Sequence, residues 1–367
     1  MFYRVHTDGT RSEVGLESVF GGPIGTTCWI IGGGPSLAGV PCDAISASPS
    51  VKFAVNLAGT SLLRPNFWTS YDPSARFHRS VYLDGSIMKF LHERRAMDLV
   101  PETTFKVCEC PGTVFFERDA DRGFADFLVG SQRGVIDWND SLLQAIDIAY
   151  RLGFRTLYLA GCDLHVKPSP DQIAHASQVG VEYERLETLD SFFRRCEEAG
   201  CPREEFSRMN APLQYHFDER KALAAAVQTD LHYFRVVQYL RLARRSLSLT
   251  GLEIVSVTPG SRLNDHFPFR GVETAAAEIL EAVGDPDSET TRGRYSLTKA
   301  RAPSGIGPMR DVPPHHWKRR GERRVRKSVP IENRDAPEVT KDEAKRAGDG
   351  KGWDDVPEVC VDLDEDG

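Results

Sequence analysis

A glycine-rich turn follows the first strongly apolar segment of the chain, and its residue types suit the binding of a phosphate or a nucleotide. Residues 28–31 run directly into Gly32, Gly33, Gly34, Pro35 and Ser36. Glycines lack the Cβ atoms that would keep a phosphate away from the backbone N–H groups. Pro35 has a fixed φ that suits the first turn of a helix, and the Ser36 hydroxyl could cap that helix or bind a phosphate oxygen. A tight turn in an unrelated α/β fold would use the same glycines, so both interpretations stay open.

The turn matches neither of the two common nucleotide fingerprints. A dinucleotide-binding loop has a third glycine at the position that Leu37 occupies here, and a P-loop contains a lysine that this turn lacks. The class of nucleotide therefore does not follow from the turn alone.

Further polar residues follow predicted strands, where they could contact a ligand. They are Asn56, Asp72, Asp163, Thr258 and Ser261. The carboxylates of Asp72 and Asp163 could bind ribose hydroxyls, ligate Mg²⁺ or orient a general base. Carboxylates at such positions also cap helices and close turns, so a purely structural role is the alternative.

Three histidines are candidates for a general base. His165 follows Asp163 by two residues, so both side chains would point the same way in a continuing strand, where His165 could also ligate a metal. His216 and His232 stand farther along the chain. A free imidazole has a pKa of about 6.5, which suits the removal of a proton from an acceptor hydroxyl near neutral pH. An ordinary surface or half-buried histidine is the alternative for each.

The pattern of apolar residues predicts strands that alternate with helices. Strands are predicted at 28–31, 51–56, 66–72, 154–160 and 252–258, and helices at 141–153 and about 218–245. The alternation predicts an α/β fold with a Rossmann-like, mostly parallel sheet flanked by helices. In such sheets ligands bind beyond the carboxyl ends of the strands, which is where the candidate residues lie.

Both predicted helices have an apolar face. In the first, Asn139 or Asp140 can cap the start and Gly153 can end it. In the second, the residues predicted to point inward are Val227, Leu231, Phe234 and Val237.

The composition is typical of a soluble protein with a sizeable core. Of 367 residues 40% are hydrophobic, and the net charge of −7 argues against a surface that binds nucleic acid throughout. The eight cysteines form no zinc-like C-x-x-C pair, which predicts reduced and mostly buried thiols. A secretory signal and an apolar run of about 20 residues are both missing, so we expect no membrane span and a cytoplasmic location.

The composition changes along the chain and predicts three parts. Residues 1–27 form a polar lead-in, residues 28–283 carry nearly all of the apolar periodicity and predict the nucleotide-binding domain, and residues 284–367 are charged and rich in proline and glycine. We expect the last part to be mostly disordered. Its basic cluster at 318–327 could contact an anionic partner, although such charge runs are more commonly only solvated.

Four segments occur in an order that is typical of a known family. They are Gly-Gly-Gly-Pro-Ser-Leu at 32–37, the strand that ends in Asn56, Arg-Pro-Asn-Phe-Trp-Thr-Ser-Tyr-Asp-Pro at 64–73, and Leu-Gly-Phe-Arg-Thr-Leu-Tyr-Leu-Ala-Gly-Cys-Asp at 152–163. The pattern resembles the MptE-like family, named after an archaeal 6-hydroxymethylpterin diphosphokinase, and the related bacterial sialyltransferases that build lipooligosaccharides. The resemblance covers about residues 28–165, with a weaker similarity at 251–263, where Thr258 and Ser261 fall in a segment like the sialyltransferases' final strand and loop.

The resemblance implies a donor site for an activated nucleotide. The residues of the glycine-rich turn would bind its phosphate and ribose, Asn56 would lie near its phosphate or sugar, and Asp72 and Asp163 match aspartates of the family. The sialyltransferases have a catalytic histidine before their last helix and strand. The corresponding segment here, 224–230, contains none, and His216 and His232 flank it.

Three functions agree with these observations. The first is a transferase that uses a nucleotide-activated donor, such as a sugar-nucleotide glycosyltransferase that acts on an acceptor hydroxyl and requires no cofactor. The second is Mg²⁺-dependent diphosphate transfer from ATP, in which Asp72 and Asp163 would be the metal ligands. The third is a nucleotide-binding or adaptor module without catalytic activity.

Overall fold

The computed structural model describes most of the region that the sequence predicts to be folded. The described residues are 2–20, 27–56, 62–63, 65–128, 134–209 and 211–283. The charged segment 284–367 and its basic cluster, predicted to be disordered, lie outside these residues, as does Arg64 of the family-like segment.

Thirteen strands and eight α-helices occur among the described residues. The strands are β1 (Tyr3–Val5), β2 (Arg11–Glu13), β3 (Thr27–Ile31), β4 (Val51–Val55), β5 (Phe67–Thr69), β6 (Met88–His92), β7 (Thr113–Phe116), β8 (Arg118–Asp119), β9 (Val135–Ile136), β10 (Thr156–Ala160), β11 (Leu213–Gln214), β12 (Arg220–Lys221) and β13 (Glu253–Ser256). The helices are α1 (Cys42–Ala47), α2 (Arg79–Leu83), α3 (Ser141–Leu152), α4 (Pro170–Gln178), α5 (Leu189–Glu198), α6 (Arg203–Arg208), α7 (Leu223–Leu249) and α8 (Val272–Val283).

Nine strands form one sheet in the order β13-β10-β3-β4-β5-β6-β7-β1-β2. Every pairing from β13 to β7 is parallel, whereas β7 with β1 and β1 with β2 are antiparallel. Strands β8 and β9, and strands β11 and β12, pair in two small separate sheets. The prediction of a Rossmann-like, mostly parallel sheet flanked by helices is confirmed.

The strand order reverses beside β3. From β3 the chain adds β4 to β7 on one side, and it later returns to add β10 and β13 on the other. Ile31 is paired with both Ala160 and Ala54, so β3, β10 and β4 end at nearly the same level. Loops diverge at such a reversal and leave a crevice, which is where ligands bind in doubly wound sheets.

The sheet is buried on both faces, as its continuous apolar strands require. Successive side chains of β3 alternate between the faces. Cys28 and Ile30 pack with residues of α3 and α7, whereas Trp29 and Ile31 pack with residues of α1 and α8. The two helical layers thereby hold the carboxyl ends of the central strands in place.

Helix α3 agrees with its prediction at both ends. The Asp140 side chain accepts hydrogen bonds from the N–H groups of Leu142 and Leu143, and Gly153 ends the helix with a φ of 109°. Since α3 begins beside the carboxyl ends of β3 and β4, this cap also places Asp140 and Ser141 at the crevice.

Helix α7 begins later than predicted and has a different buried face. Residues 220–221 pair with β11, so the helix begins at Leu223 rather than near residue 218. Phe234, predicted to point inward, is 39% exposed, whereas Val227 and Val237 are buried. Tyr233 continues the buried face in place of Phe234, because residue 234 lies one helical step of about 100° farther around the axis.

The polar lead-in contributes to the sheet. Strands β1 and β2 form its antiparallel edge, and Phe2, Leu16 and Phe20 are buried in the main core. The sequence did not predict this edge because each strand has only three residues and those of β2 are all exposed.

Among the described residues no helix is both long and apolar enough to cross a membrane. Seven cysteines are described, and each is a free thiol, with Cys42 and Cys108 half-buried and the other five buried. The prediction of reduced, mostly buried thiols is confirmed for these seven.

Candidate functional site

The loops that follow β3 and β10 lie against each other, and glycines make this approach possible. A Cβ atom on Gly34 would lie 2.0 Å from Oδ2 of Asp163 and 2.7 Å from the carbonyl oxygen of Gly161. A Cβ atom on Gly32 would lie 2.7 Å from Sγ of Cys162. Gly161 has a φ of +65°, which favours glycine, and a Cβ there would meet the Gly32 carbonyl oxygen at 2.5 Å. Three glycines are therefore required by the packing of the two loops.

Asp163 connects these loops through Ser36. Its Oδ2 accepts a 2.7 Å hydrogen bond from the Ser36 hydroxyl and a 3.3 Å bond from the Ser36 N–H. Ser36 lies inside a 3₁₀ helix, Pro35–Gly39, whose N-cap residue Gly34 has no side chain to cap it. The prediction that Ser36 caps the helix is therefore wrong. A helix of five residues also has only a small dipole with which to stabilise an anion.

Several backbone donors of the turn serve the same packing. The N–H of Gly32 donates to the carbonyl oxygen of Ala160 at 2.7 Å, and that of Gly34 donates to Gly161 at 2.8 Å. The sequence suggested these N–H groups, and that of Ser36, as donors to a phosphate. In the structure the N–H groups of Gly32, Gly34 and Ser36 all make hydrogen bonds within the protein.

Gly33 differs from its neighbours because it faces the imidazole of His216. A Cβ atom on Gly33 would have its nearest neighbour at 3.5 Å, in the imidazole of His216, and would lie 3.7 Å from Nε2 of that ring. The Gly33 carbonyl oxygen accepts a 2.9 Å hydrogen bond from the Phe217 N–H, which holds the His216 segment against the turn.

A cavity of about 90 Å³ opens at the reversal of the strand order. It is lined by Gly32, Gly33, Gly34, Val55, Asn56, Asp140, Ser141, Leu142, Gly161, Cys162, Asp163, Leu164, Tyr215, His216 and Tyr233. An adjoining cleft of about 360 Å³ shares six of these residues and adds Tyr71, Asp72, Arg76, Asn139, Lys221, Gln228, Thr229 and His232. Small-molecule sites usually measure about 300–1,000 Å³, so the cavity is too small on its own, whereas the adjoining cleft reaches this range.

His216 is held by a buried carboxylate. It lies in the turn between β11 and β12, where its Nδ1 is 2.5 Å from Oε2 of Glu219. The side chain of Glu219 is 2% exposed, and it also accepts a hydrogen bond from the Tyr215 hydroxyl and lies 3.7 Å from the Arg76 guanidinium. These partners make the turn a rigid support for the imidazole.

The charge of Glu219 determines which nitrogen of His216 can act as a base. Burial alone would raise the pKa of Glu219, but the hydrogen bonds from His216 and Tyr215 and the nearby Arg76 lower the pKa to about 2. The ionised carboxylate can only accept hydrogen bonds, so Nδ1 of His216 carries the proton that it donates. In the neutral imidazole Nε2 is then unprotonated, and this is the nitrogen near Gly33.

Asn56 is oriented by two hydroxyl groups. Its Oδ1 accepts hydrogen bonds from Oγ of Ser70 at 2.7 Å and from Oγ of Ser141 at 2.9 Å. Asn56 has a left-handed φ of 54° and lines the cavity directly after β4. Since Oδ1 accepts both of these bonds, the amide nitrogen is the atom with which Asn56 can donate to a ligand.

Asp72 lies in the adjoining cleft and is paired with a cation. Its Oδ2 is 2.8 Å from Nη1 of Arg76, and the Arg76 guanidinium also reaches the Tyr215 hydroxyl at 3.4 Å. Lys221 lies above the Tyr215 ring, with Nζ 4.1 Å from its centroid. The cleft therefore offers cationic groups close to His216.

The two aspartates predicted as Mg²⁺ ligands do not share a cavity. Asp163 lines the cavity at the glycine turn, whereas Asp72 lines the cleft. One is bound to Ser36 and the other to Arg76. Their joint use as metal ligands stays a prediction from the resemblance.

His165 lines a different cavity from His216, together with Ser36 and Asp163. It is buried, and its Nδ1 is 3.1 Å from the carbonyl oxygen of Asp163. Burial lowers the pKa of His165, and the nearby Arg262 lowers it further. His165 lines a separate cavity of about 440 Å³, so the structure does not bring it together with His216.

Thr258 and Ser261 support the loop after β10. Oγ1 of Thr258 accepts from the Cys162 N–H at 3.0 Å, and Oγ of Ser261 donates to the Cys162 carbonyl oxygen at 2.6 Å. Both residues are fully buried. Predicted to bind the donor, they instead hold the loop that contacts the glycine turn.

His232 is part of the wall of the cleft. Its Nε2 is 3.0 Å from Oδ2 of Asp140, the residue whose other oxygen caps α3. This position fits a structural link between α7 and α3 as well as a ligand contact.

Comparison of the chain with models of known protein families, with curated proteins and with solved structures found no match.

Six residues of the site were missed by the sequence analysis, namely Arg76, Ser141, Tyr215, Glu219, Lys221 and Tyr233. Glu219 has a signal in the sequence, because Tyr-His-x-x-Glu at 215–219 is a spacing that a tight turn can close into a hydrogen-bonded pair. Ser141 follows the Asp140 cap directly, but nothing in the sequence predicts its bond to Asn56. Nothing in the sequence distinguishes Tyr233 from any other tyrosine on a helix. It lines the cavity only because α7 packs beside it.

Proposed function

We propose that this protein is a transferase for a nucleotide-activated donor, specifically a sugar-nucleotide glycosyltransferase that acts on an acceptor hydroxyl. The observation that carries the proposal is the His216–Glu219 pair. The pair lies at the reversal of the strand order, with Glu219 buried and the half-buried His216 facing the glycine turn. The resemblance of residues 28–165 to the MptE-like family and its sialyltransferase relatives supports the same class of donor.

His216 is the general base in this proposal. Its Nε2 accepts the proton of the acceptor hydroxyl as the oxygen attacks the anomeric carbon of the sugar. Glu219 positions the ring, holds the proton on Nδ1 and stabilises the imidazolium that forms, which is the role of the third member of a catalytic triad. Glu219 is a positioning residue, because it acts through His216.

The donor is placed between the turn and the cleft. Gly33 leaves space in front of the imidazole, and Asn56 can donate a hydrogen bond to a phosphate or sugar oxygen. Arg76 and Lys221 line the cleft, where their charges favour a leaving phosphate. The bond between the anomeric carbon and the phosphate oxygen breaks, and its electron pair stays with the nucleotide. A bond to the acceptor oxygen forms, and the proton goes to His216.

The alternatives are weaker on specific grounds. A Mg²⁺ site for ATP formed by Asp72 and Asp163 together has less support, because the Asp163 carboxylate is bound to Ser36 and the Asp72 carboxylate to Arg76. A binding module has no need of a buried carboxylate that fixes one tautomer of a histidine in the cavity.

The first test is calorimetric titration of the full chain with CMP, CDP, UDP, GDP, ADP and ATP, each with and without Mg²⁺. The nucleotide that binds is then supplied as its nucleotide sugar, and release of the free nucleotide is measured for the native protein and for His216→Asn. The proposal expects metal-independent binding of a nucleoside mono- or diphosphate by both proteins, and slow release that only the native protein catalyses.

Two results would overturn the proposal. A Mg²⁺-dependent preference for ATP would indicate diphosphate transfer, and the metal ligands would then have to be sought again. Failure of every nucleotide to bind would leave the glycine turn as a packing element only.

A further inference from the structure

Outside the cavity, three side chains with different donor atoms meet in the helical region that follows β10. They are His175 on α4, Cys201 between α5 and α6, and Glu205 on α6, and their donor atoms all lie within 4.8 Å of one another. Nε2 of His175 is 3.2 Å from Oε2 of Glu205, and Sγ of Cys201 is 3.6 Å from the same oxygen.

These separations match the edges of a tetrahedron around zinc. With Zn–N and Zn–O bonds of about 2.0–2.1 Å and a Zn–S bond of about 2.3 Å, tetrahedral angles place N and O about 3.3 Å apart, and S and O about 3.5 Å apart. Both observed distances lie close to these values, and all three donor atoms lie within 4.8 Å of one another, so the Glu205 carboxylate is placed to share one ion with each of the other two ligands.

The donor set selects the kind of metal. A thiolate, an imidazole and a carboxylate together suit Zn²⁺, whereas Mg²⁺ and Ca²⁺ prefer oxygen ligands alone. Cys201 is buried, while His175 and Glu205 are partly exposed, with side-chain exposures of 31% and 44%. The open side leaves room for a water molecule as the fourth ligand.

The backbone and the neighbouring ring hold these side chains in position. The Cys201 N–H donates to the Cys196 carbonyl oxygen at 2.9 Å, which fixes the turn after α5. The His175 ring packs edge-on against Phe206, with centroids 5.3 Å apart and planes at 81°. Much of the ordering that a metal site requires is thus present in the fold.

We propose that His175, Cys201 and Glu205 bind one Zn²⁺ ion with water as the fourth ligand. The ion ties α4 to α5 and α6, in the segment that leads to the β11–β12 hairpin and His216. Its role is structural, and it is independent of the reaction proposed above.

Binding of this ion requires a thiolate. Burial raises the pKa of Cys201, and the adjacent Glu205 raises it further, so without metal the thiol keeps its proton and donates it to Glu205. Metal binding displaces this proton, as for other cysteine sites.

The test is titration of the chelator-treated full chain with Co²⁺, followed by absorption spectroscopy. The native protein should bind one equivalent with a sulfur-to-cobalt charge-transfer band and the intense visible bands of a tetrahedral ion, and Zn²⁺ should displace it. Cys201→Ser should lose the charge-transfer band. Glu205→Gln changes a partly exposed residue, so it should fold normally and bind more than about tenfold more weakly, a loss that even partners outside the metal sphere commonly cause.

Cys108→Ser is the matched control, because Cys108 is a half-buried free thiol in another part of the chain. The cobalt spectrum of this variant should equal that of the native protein. The proposal is wrong if the native protein gives no charge-transfer band, or if Glu205→Gln binds Co²⁺ as tightly as the native chain. Zn²⁺ should also raise the melting temperature of the native protein, and at the same concentration it should raise that of Glu205→Gln clearly less.

Discussion

The carboxylate of Asp163 lies so close to Gly34 that no side chain fits between them. A Cβ atom on Gly34 would be 2.0 Å from Oδ2 of Asp163, the same oxygen that accepts the 2.7 Å hydrogen bond of the Ser36 hydroxyl. The loop after β10 thus determines the shape of the turn after β3. Through this turn it also determines where Gly33 meets the imidazole of His216.

The first prediction contrasts two neighbouring glycines. Gly34→Ala should destabilise the protein by about 3 kcal/mol, because the new methyl group overlaps a carboxylate and the Gly161 carbonyl oxygen, and overpacking of this kind costs about 1–3 kcal/mol or more. Gly33→Ala should change the free energy of unfolding by less than about 1 kcal/mol, because its Cβ would have only ordinary contacts. Urea unfolding of both variants measures the difference. Equal stabilities would contradict the described packing of the two loops.

The second prediction concerns the hydroxyl of Ser36. Ser36→Ala should cost about 1–2 kcal/mol of stability, since the buried Asp163 carboxylate loses its shorter hydrogen bond. The affinity for the nucleotide should stay within about twofold of the native value, because the hydroxyl faces the carboxylate rather than the cavity. Melting temperatures and calorimetric titrations measure these quantities. A large loss of nucleotide affinity with unchanged stability would restore the phosphate-binding role that the sequence suggested.

The sequence predicted the architecture well because its signals are local. The apolar strands, the Asp140 cap and Gly153 each depend on a few adjacent residues, and they gave β3, β4, β10, β13 and α3 nearly at their observed positions. The parallel order then required the polar residues after these strands to share one edge of the sheet. Helix α7 was less well predicted, because the pairing of Arg220 with β11 delays its start.

The roles of individual residues were harder to predict because they depend on contacts between distant segments. Ser36 and Asp163 are 127 residues apart, and only their contact explains why the turn needs Gly34. Thr258 and Ser261 lie at the predicted edge, but their hydroxyls point into the loop after β10. The sequence offered His165, His216 and His232 as candidates for the base, and only the contact with Glu219 distinguishes His216.

The third prediction concerns stability in acid. The pKa of Glu219 is about 2 in the folded protein, against an ordinary value near 4.5, so on acidification the unfolded state takes up the proton first. The carboxylate therefore stabilises the fold fully above pH 5, and this stabilisation is lost as the pH falls from about 4.5 towards 2. The full shift corresponds to about 3 kcal/mol, of which about 2 kcal/mol should be lost by pH 3.

Glu219→Gln removes this titration. The difference in unfolding free energy between the native protein and the variant should therefore shrink by about 2 kcal/mol between pH 6 and pH 3. Urea unfolding at several pH values measures it. A difference that is constant over this range would mean that the Glu219 carboxylate does not interact with His216 and Arg76 as described.

The fourth prediction separates catalysis from binding at the His216–Glu219 pair. His216→Asn should lower the rate of nucleotide release from the donor by about 10²–10⁴-fold, the usual contribution of a general base, while the affinity for the free nucleotide changes much less. Glu219→Gln keeps the shape of the side chain, but the neutral amide no longer holds the proton on Nδ1 of His216. This variant should therefore also slow the reaction, with little effect on the affinity for the nucleotide. His6→Asn is the control, since His6 is exposed on the β1–β2 hairpin and should react like the native protein. Full activity of His216→Asn would exclude His216 as the base, whereas loss of nucleotide affinity together with rate would place the ring in donor binding instead.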